Sequence, residues 1–269
     1  MMEAVQNVAG VDVIIEGNGD ETLLMIHGWP DSHKLWDSTV EALQADYRCV
    51  RFTLPGFDLA KPAYTPTLTQ ITDTILQVAN SVSADKKVTL VLHDWGCIFG
   101  YEFAAQHPGR VARIVAVDIG DYNTAAFANA TSTSAKLQIF GYQFWLALAW
   151  KLGNAGAVGF ANWMTQFMAG KMRCPNPPAL ITWQLNYPYA MRWFGLQGGL
   201  TQTLKVTPQV PVLYIYGERK PFMFHSDEWL KKLAAKPCSE AQAFATGHWV
   251  MVQQPQLFVS RVATWLAYK

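Results

Sequence analysis

The chain has 269 residues, 51% of them hydrophobic and only 15% charged, with a formal net charge of +1 and 11 tryptophans. Apolar content this high with near-zero net charge excludes intrinsic disorder, and 21 basic against 20 acidic residues leave no electrostatic footprint for nucleic acid. Charge poverty raises the question of a membrane span, but residues 137–150 are too few for the roughly 20 apolar residues a span needs, and residues 152–170 are interrupted by Asn154, Asn162, Thr165, Gln166 and four glycines. Residues 1–10 carry neither the basic nor the apolar region of a secretory signal. Cys49, Cys97, Cys174 and Cys238 are scattered and form no CxxC pair, which predicts reduced thiols in the cytoplasm and neither a metal site nor a disulfide framework.

In chain order, short β-branched runs over residues 11–15, 22–26, 48–53, 88–92 and 113–117 read as strands. The segments 33–43, 69–82 and 96–107 between them have helical apolar spacing, the last one stopping at Pro108-Gly109. This alternation predicts a parallel sheet covered on both faces. Residues 122–217 contain no Asp or Glu but include Lys136, Lys151, Lys171, Arg173, Arg192 and Lys205. Residues 123–205 read as an inserted, cationic helical lid. Strands at 210–216 and 241–245 and helices at 225–235 and 256–267 then complete the alternation.

The strongest local signal is Val91-Leu92-His93-Asp94-Trp95-Gly96-Cys97, an apolar strand running into a sharp turn and then a helix. A residue on such a turn is exposed at the carboxyl end of the sheet, facing backbone amides and a helix N-terminus. A carboxylate there is a competent nucleophile toward a strained or activated saturated carbon, and the ester formed must then be cleaved by water. The alternative reading is that Asp94 merely caps the helix. His27-Gly28-Trp29-Pro30 follows a strand and can present the N–H of Trp29 beside Asp94, forming an oxyanion hole with the N–H of Trp95. Thr246-Gly247-His248-Trp249 lies between the last strand and the closing helix, where His248 can fold back to activate water. His33, His107 and His225 fall at helix ends or surfaces, and His93 reads as a packing residue pointing away from the turn.

Together, in this order, HGWP, HDWG and GHW resemble the α/β-hydrolase superfamily, in the branch of epoxide hydrolases and haloalkane dehalogenases that use an aspartate nucleophile. The resemblance covers most of residues 22–122 and 206–268. It implies an α/β fold with a mostly parallel eight-stranded sheet and helices on both faces. The core would be residues 1–122 and 206–269, the lid 123–205, with no cofactor and no metal. It implies Asp94 as nucleophile, His248 as general base and Trp29 and Trp95 as oxyanion amides. The acid departs from the pattern, because Tyr216-Gly217-Glu218-Arg219-Lys220 puts Lys220 where most relatives carry an aspartate, and a lysine cannot orient an imidazolium. Asp118, at the end of the strand before the lid and 24 residues beyond Asp94, is the preferred acid. Glu218 is the alternative and Asp121 a weaker third.

The leaving atom separates the two reactions. An epoxide oxygen needs a proton donor, and Leu185-Asn186-Tyr187-Pro188-Tyr189 resembles the lid motif that supplies a tyrosine, placing the role on Tyr189 with Tyr187 as substitute. Tyr142-Gln143-Phe144-Trp145 has Trp145 where a second tyrosine would fall. This suggests a single-tyrosine site, with Trp145 and Tyr142 as pocket residues. Leu92 and the indole of Trp95 point instead to halide, so a haloalkane dehalogenase is the alternative. Lys220 also keeps open a degenerate hydrolase that binds a ligand or partner without turnover. The expected partners are a small apolar substrate and water, with a homodimer through the lid, or a membrane contact there, as the place for further association.

Overall fold

Thr22–Ile26 and Val88–His93 are buried at every position, as strands must be when helices cover both faces of a parallel sheet. The computed structural model describes residues 4–268. Its strands are β1 (Ala4–Val8), β2 (Val11–Glu16), β3 (Thr22–Ile26), β4 (Arg48–Phe52), β5 (Val88–His93), β6 (Val111–Val117), β7 (Val212–Gly217) and β8 (Glu240–Phe244). They form one eight-stranded sheet in the spatial order 1-2-4-3-5-6-7-8. β1 pairs antiparallel with β2, and β2 with β4, while every other pairing is parallel.

α1 (Asp37–Leu43), α9 (Val250–Gln253) and α10 (Pro255–Ala267) cover one face, where Trp36, Phe258 and Trp265 pack on Leu23, Val91 and Val117. α2 (Leu68–Val82), α3 (Trp95–Gln106) and α8 (Asp227–Ala235) cover the other. α2 starts at a reciprocal capping box between Thr67 and Gln70 and buries Leu68, Ile71, Ile75, Val78 and Val82 along one stripe. α3 is buried nearly all round, as expected of the helix behind the central strand. Between β6 and β7 lie α4 (Ala125–Ala130), α5 (Thr133–Asn154), α6 (Val158–Lys171) and α7 (Tyr187–Phe194). Leu146 and Ala147 of α5 and Tyr189 of α7 join the same apolar cluster as α2 and α3. Among the described residues, no helix is long and apolar enough to cross a membrane.

The fold is the one the resemblance implies, with local differences. β1 was not expected from the sequence: Ala-Val-Gln-Asn-Val is an exposed edge with weak alternation, turned onto β2 through Ala9 and Gly10, both at positive φ. The expected helix over 33–43 is a 3-10 turn, His33–Trp36, followed by α1.

Candidate active site

β5 delivers its chain into a single strained residue before α3 begins. Asp94 has φ 51° and ψ −122°, a conformation non-glycine residues adopt only where the surroundings enforce it. Two glycines permit the close packing. A Cβ on Gly28 would lie 2.4 Å from the Trp95 nitrogen, and one on Gly96 would lie 2.3 Å from the Ile26 carbonyl oxygen. The loop after β3 therefore presses against the turn, and the Trp29 N–H donates to Asp94 Oδ1 at 2.7 Å. The Trp95 N–H, at the start of α3, adds to the forces that lower the Asp94 carboxyl.

The other oxygen, Asp94 Oδ2, lies 3.3 Å from His248 Nε2. His248 Nδ1 hydrogen-bonds Asp118 Oδ2. Asp118 follows β6 at φ 75° and is fully buried. Its Oδ1 accepts from the Gly217 N–H at 3.1 Å and from Lys220 Nζ. Gly217 and Gly247 bring these loops together, since a Cβ on Gly217 would come 1.8 Å from the Gly247 carbonyl oxygen. Burial pushes the Asp118 carboxyl up, but the charges of Lys220 and His248 outweigh it and hold the group well below the usual carboxylate range. Burial likewise opposes the charge on Asp94, and the hydrogen bond and charge of His248 leave it below its ordinary value. Burial disfavours protonated His248, yet the facing Asp118 and Asp94 raise it to about 9.

Asp94 opens into a pocket lined by Trp95, Ile98, Ile119, Ile139, Leu200 and Phe224, with Tyr122, Tyr142, Gln143, Tyr189 and Arg192 as its polar groups. The Tyr189 ring stands edge-on to Trp95 at 5.2 Å and to Tyr142 at 6.2 Å. Burial and the Asp94 charge push the Tyr189 phenol well above its ordinary value, so it keeps its proton.

Several sequence expectations are corrected. The pocket is lined by three tyrosines, Tyr122, Tyr142 and Tyr189, and not by Trp145, whose indole donates to the Met164 carbonyl and packs on Trp163 and Phe167. Tyr187 points to the core side, its hydroxyl donating to the Pro55 carbonyl at 2.9 Å, and is no substitute for Tyr189. Glu218 is exposed, while Asp121 is consumed by Ser226 and Thr124; neither meets His248. Leu92 lies under α3, where a Cβ on Gly100 would come 2.5 Å from it, away from the pocket.

The sequence reading missed two groups. Lys220 looked like a lost acid and is instead the ion-pair partner of Asp118. Asp31, beside the HGWP motif, is buried and accepts from the Trp249 indole at 3.1 Å and from the Asn176 amide of the insert at 2.8 Å. Its Oδ2 lies 3.7 Å from His93 Nδ1, and the His93 ring backs His248 at 4.5 Å between centroids. The only available signal was the acidic residue directly after the loop.

Comparison with known proteins agrees with this architecture. Epoxide hydrolase 2 of Caenorhabditis elegans is 24% identical over 265 residues, 90% of this chain and 73% of that protein. The cis-3-alkyl-4-alkyloxetan-2-one decarboxylase of Xanthomonas campestris pv. campestris is 30% identical over 161 residues, 55% of this chain and 52% of that protein. The crystal structure of an epoxide hydrolase from Vigna radiata has a TM-score of 0.71 at 18% identity, covering 98% of this chain and 97% of that one; at that identity the likeness is one of fold. The chain spans only 20% and 52% of the length of two curated relatives that it matches at 32% and 30% identity. The model of the Alpha/beta hydrolase family matches residues 23–261, from the first fully buried strand into the closing helix, and the chain belongs to that family.

Proposed function

We propose that the chain is a hydrolase that opens the epoxide of an apolar substrate to a diol through a covalent ester on Asp94. The observation that carries this reading is the division of labour between the two oxygens of Asp94. Oδ1 accepts from the Trp29 backbone amide, while Oδ2 faces His248 and the tyrosines line the same pocket. Oδ2 attacks the less hindered epoxide carbon, the carbon–oxygen bond breaks, and Tyr189 gives its proton to the departing oxygen, with Tyr142 as the second donor. Oδ1 is then the ester carbonyl oxygen, already bound to the Trp29 amide, and the Trp95 amide is the second donor as charge develops on it. His248, oriented by Asp118, takes a proton from water as that water attacks the Asp94 carbonyl carbon. Collapse releases the diol carrying Oδ2, leaves the water oxygen in Asp94, and returns a proton to the phenolate. The insert acts as the lid that keeps the pocket dry until this second step. The four free thiols fit a reducing compartment, and we place the chain in the cytoplasm.

A dehalogenase would need indole N–H donors free to hold halide. The Trp29 indole is bound to Asn186 and that of Trp145 to Met164, which leaves Trp95, in the pocket lining, as the indole for a halide, beside the tyrosines that favour the epoxide. The likeness to an oxetanone decarboxylase favours one other substrate class, a strained four-membered lactone, for the same carboxylate.

The test is covalent trapping. With His248→Gln, an epoxide is expected to leave its full mass on the peptide containing Asp94, and a single wild-type turnover in oxygen-18 water should put the label into Asp94. A panel of styrene oxide, a long-chain epoxide, a dialkyl oxetanone and 1-bromobutane assigns the class. No adduct from any of them would make the chain a binding protein without turnover.

A further inference from the structure

The six cations in the acid-free stretch 122–217 are all exposed. The rest of the chain holds fifteen basic residues against all twenty acidic ones, a net −5, so charge is segregated between insert and core. On the same insert, large apolar side chains face outward. Leu137, Phe140 and Phe144 recur along α5 at helical spacing, and Phe160, Trp163 and Phe167 along α6, with exposures from 37% at Phe144 to 66% at Leu137.

The rings fall into two groups, one between α5 and α6 and one between α5 and α7, which come together in the chain at Phe144 and Trp145. Trp163 stacks on Phe160 and Phe167 at 5.4 and 5.7 Å between centroids, and both Trp163 and Phe167 lean on Trp145. Beside Trp145 in the chain, Phe144 stacks on Phe140 at 5.3 Å and meets Phe194 at 5.8 Å. Cations flank the rings: Lys171 Nζ lies 5.6 Å from the Phe167 centroid and Lys151 Nζ 5.4 Å from that of Phe194. The helices do not lack an inner face, since Leu146, Ala147, Ala149 and Met164 are buried beneath. Proteins that act as free monomers expose apolar side chains mostly singly, and a contiguous patch marks an interaction surface.

The occupant must be apolar against the rings and anionic around them. A second copy docked through the same face by two-fold symmetry would set these cations against themselves, with no carboxylate in the insert to answer them. An anionic bilayer supplies both features, with aromatic rings at the boundary between headgroups and acyl chains and Lys and Arg reaching the phosphates. We infer that the outer face of α5 and α6 docks on an anionic lipid membrane surface. The net-negative core then faces away from the lipid, and the substrate pocket, lined by Tyr142 and Gln143 of α5, lies on the inner side of the docked layer. Docking does not rest on the reaction proposed above and is read without turnover.

The experiment is sedimentation of the full chain with vesicles of phosphatidylcholine containing phosphatidylserine, against phosphatidylcholine alone, at low and high salt. Binding is expected on the phosphatidylserine vesicles and should weaken with salt. Phe160→Ser/Trp163→Ser should reduce it about a hundredfold or more. Lys151→Gln/Lys171→Gln/Arg173→Gln, all at exposed positions that leave packing intact, should reduce it about a hundredfold. Absence of binding to either vesicle at low salt overturns the inference, as does binding that is equal on both vesicles or indifferent to salt. A dimer in analytical ultracentrifugation that Phe160→Ser/Trp163→Ser dissociates also overturns it, because the face would then be a subunit interface.

Discussion

Lys220 stands where the resemblance expects an acid, yet it pairs with Asp118, the acid of the proposed reaction. Its ammonium binds one oxygen of Asp118 while His248 binds the other. The carboxylate is thereby fixed in rotation, and part of its charge is answered from the side away from the imidazole. Removing the ammonium leaves Asp118 free to stabilise protonated His248 more strongly, so the base holds its proton to higher pH. In Lys220→Met, ester hydrolysis at pH 7 is expected to fall about tenfold for each tenfold rise in the proton affinity of His248, and to recover as pH increases. Lys220→Arg should restore the profile. The alkylation step, which needs no base, should stay flat, and a pH series of single-turnover rates separates the two steps. At Tyr189 the opposite step is affected. Its proton is retained at all working pH, and Tyr189→Phe should slow alkylation of Asp94 by about a hundredfold, with Tyr142 sustaining the remainder and ester hydrolysis unchanged.

The turn between β5 and α3 shows how secondary structure sets this chemistry. The loop after β3 can reach Asp94 only because Gly28 has no side chain. In Gly28→Ala the added carbon would meet the Trp95 nitrogen at 2.4 Å and Asp94 Oδ1 at 2.5 Å, displacing the amides from the carboxylate. Loss of one such donor typically costs about 10²–10³ in kcat, and the burst of alkyl-enzyme followed by slow release is the measurement that checks it. This much was legible locally: an apolar strand before, Gly96 and a helix after, and Gly28 in the loop that follows β3 point to the elbow. What was illegible depended on distance. β1 is an edge whose side chains see water on most positions, so no alternation marks it. Lys220 and Asp118 are 102 residues apart, and nothing in the local sequence says that a lysine on one loop reaches a carboxylate on another. Tyr142 and Trp145 differ by three positions on one helix, nearly a full turn, so counting along the motif could not decide which of them faces the pocket.

At the scale of the whole molecule, the buried site couples stability to pH with a definite sign. Three ionisable groups meet beneath the insert, and each has a proton affinity that folding changes. His248, raised from 6.5 to about 9, stabilises the folded chain fully below about pH 6.5, and the contribution is lost as pH rises through 9. Asp94 and Asp118, both lowered, contribute above the ordinary carboxylate range near 4 and lose that contribution as pH falls below it. The site therefore favours folding most between about pH 5 and 6.5 and less on either side. Every tenfold change in proton affinity is worth about 1.4 kcal/mol, and each kcal/mol about 2–4 °C in Tm for a chain of this size. His248→Gln removes the histidine's share and leaves two facing carboxylates. The wild type should exceed this variant in Tm by several degrees at pH 6, and the gap should narrow steadily toward pH 9.5. A constant gap across that range would mean that His248 is not held in its charged form between Asp94 and Asp118, and calorimetry on the two chains in parallel buffers distinguishes the cases.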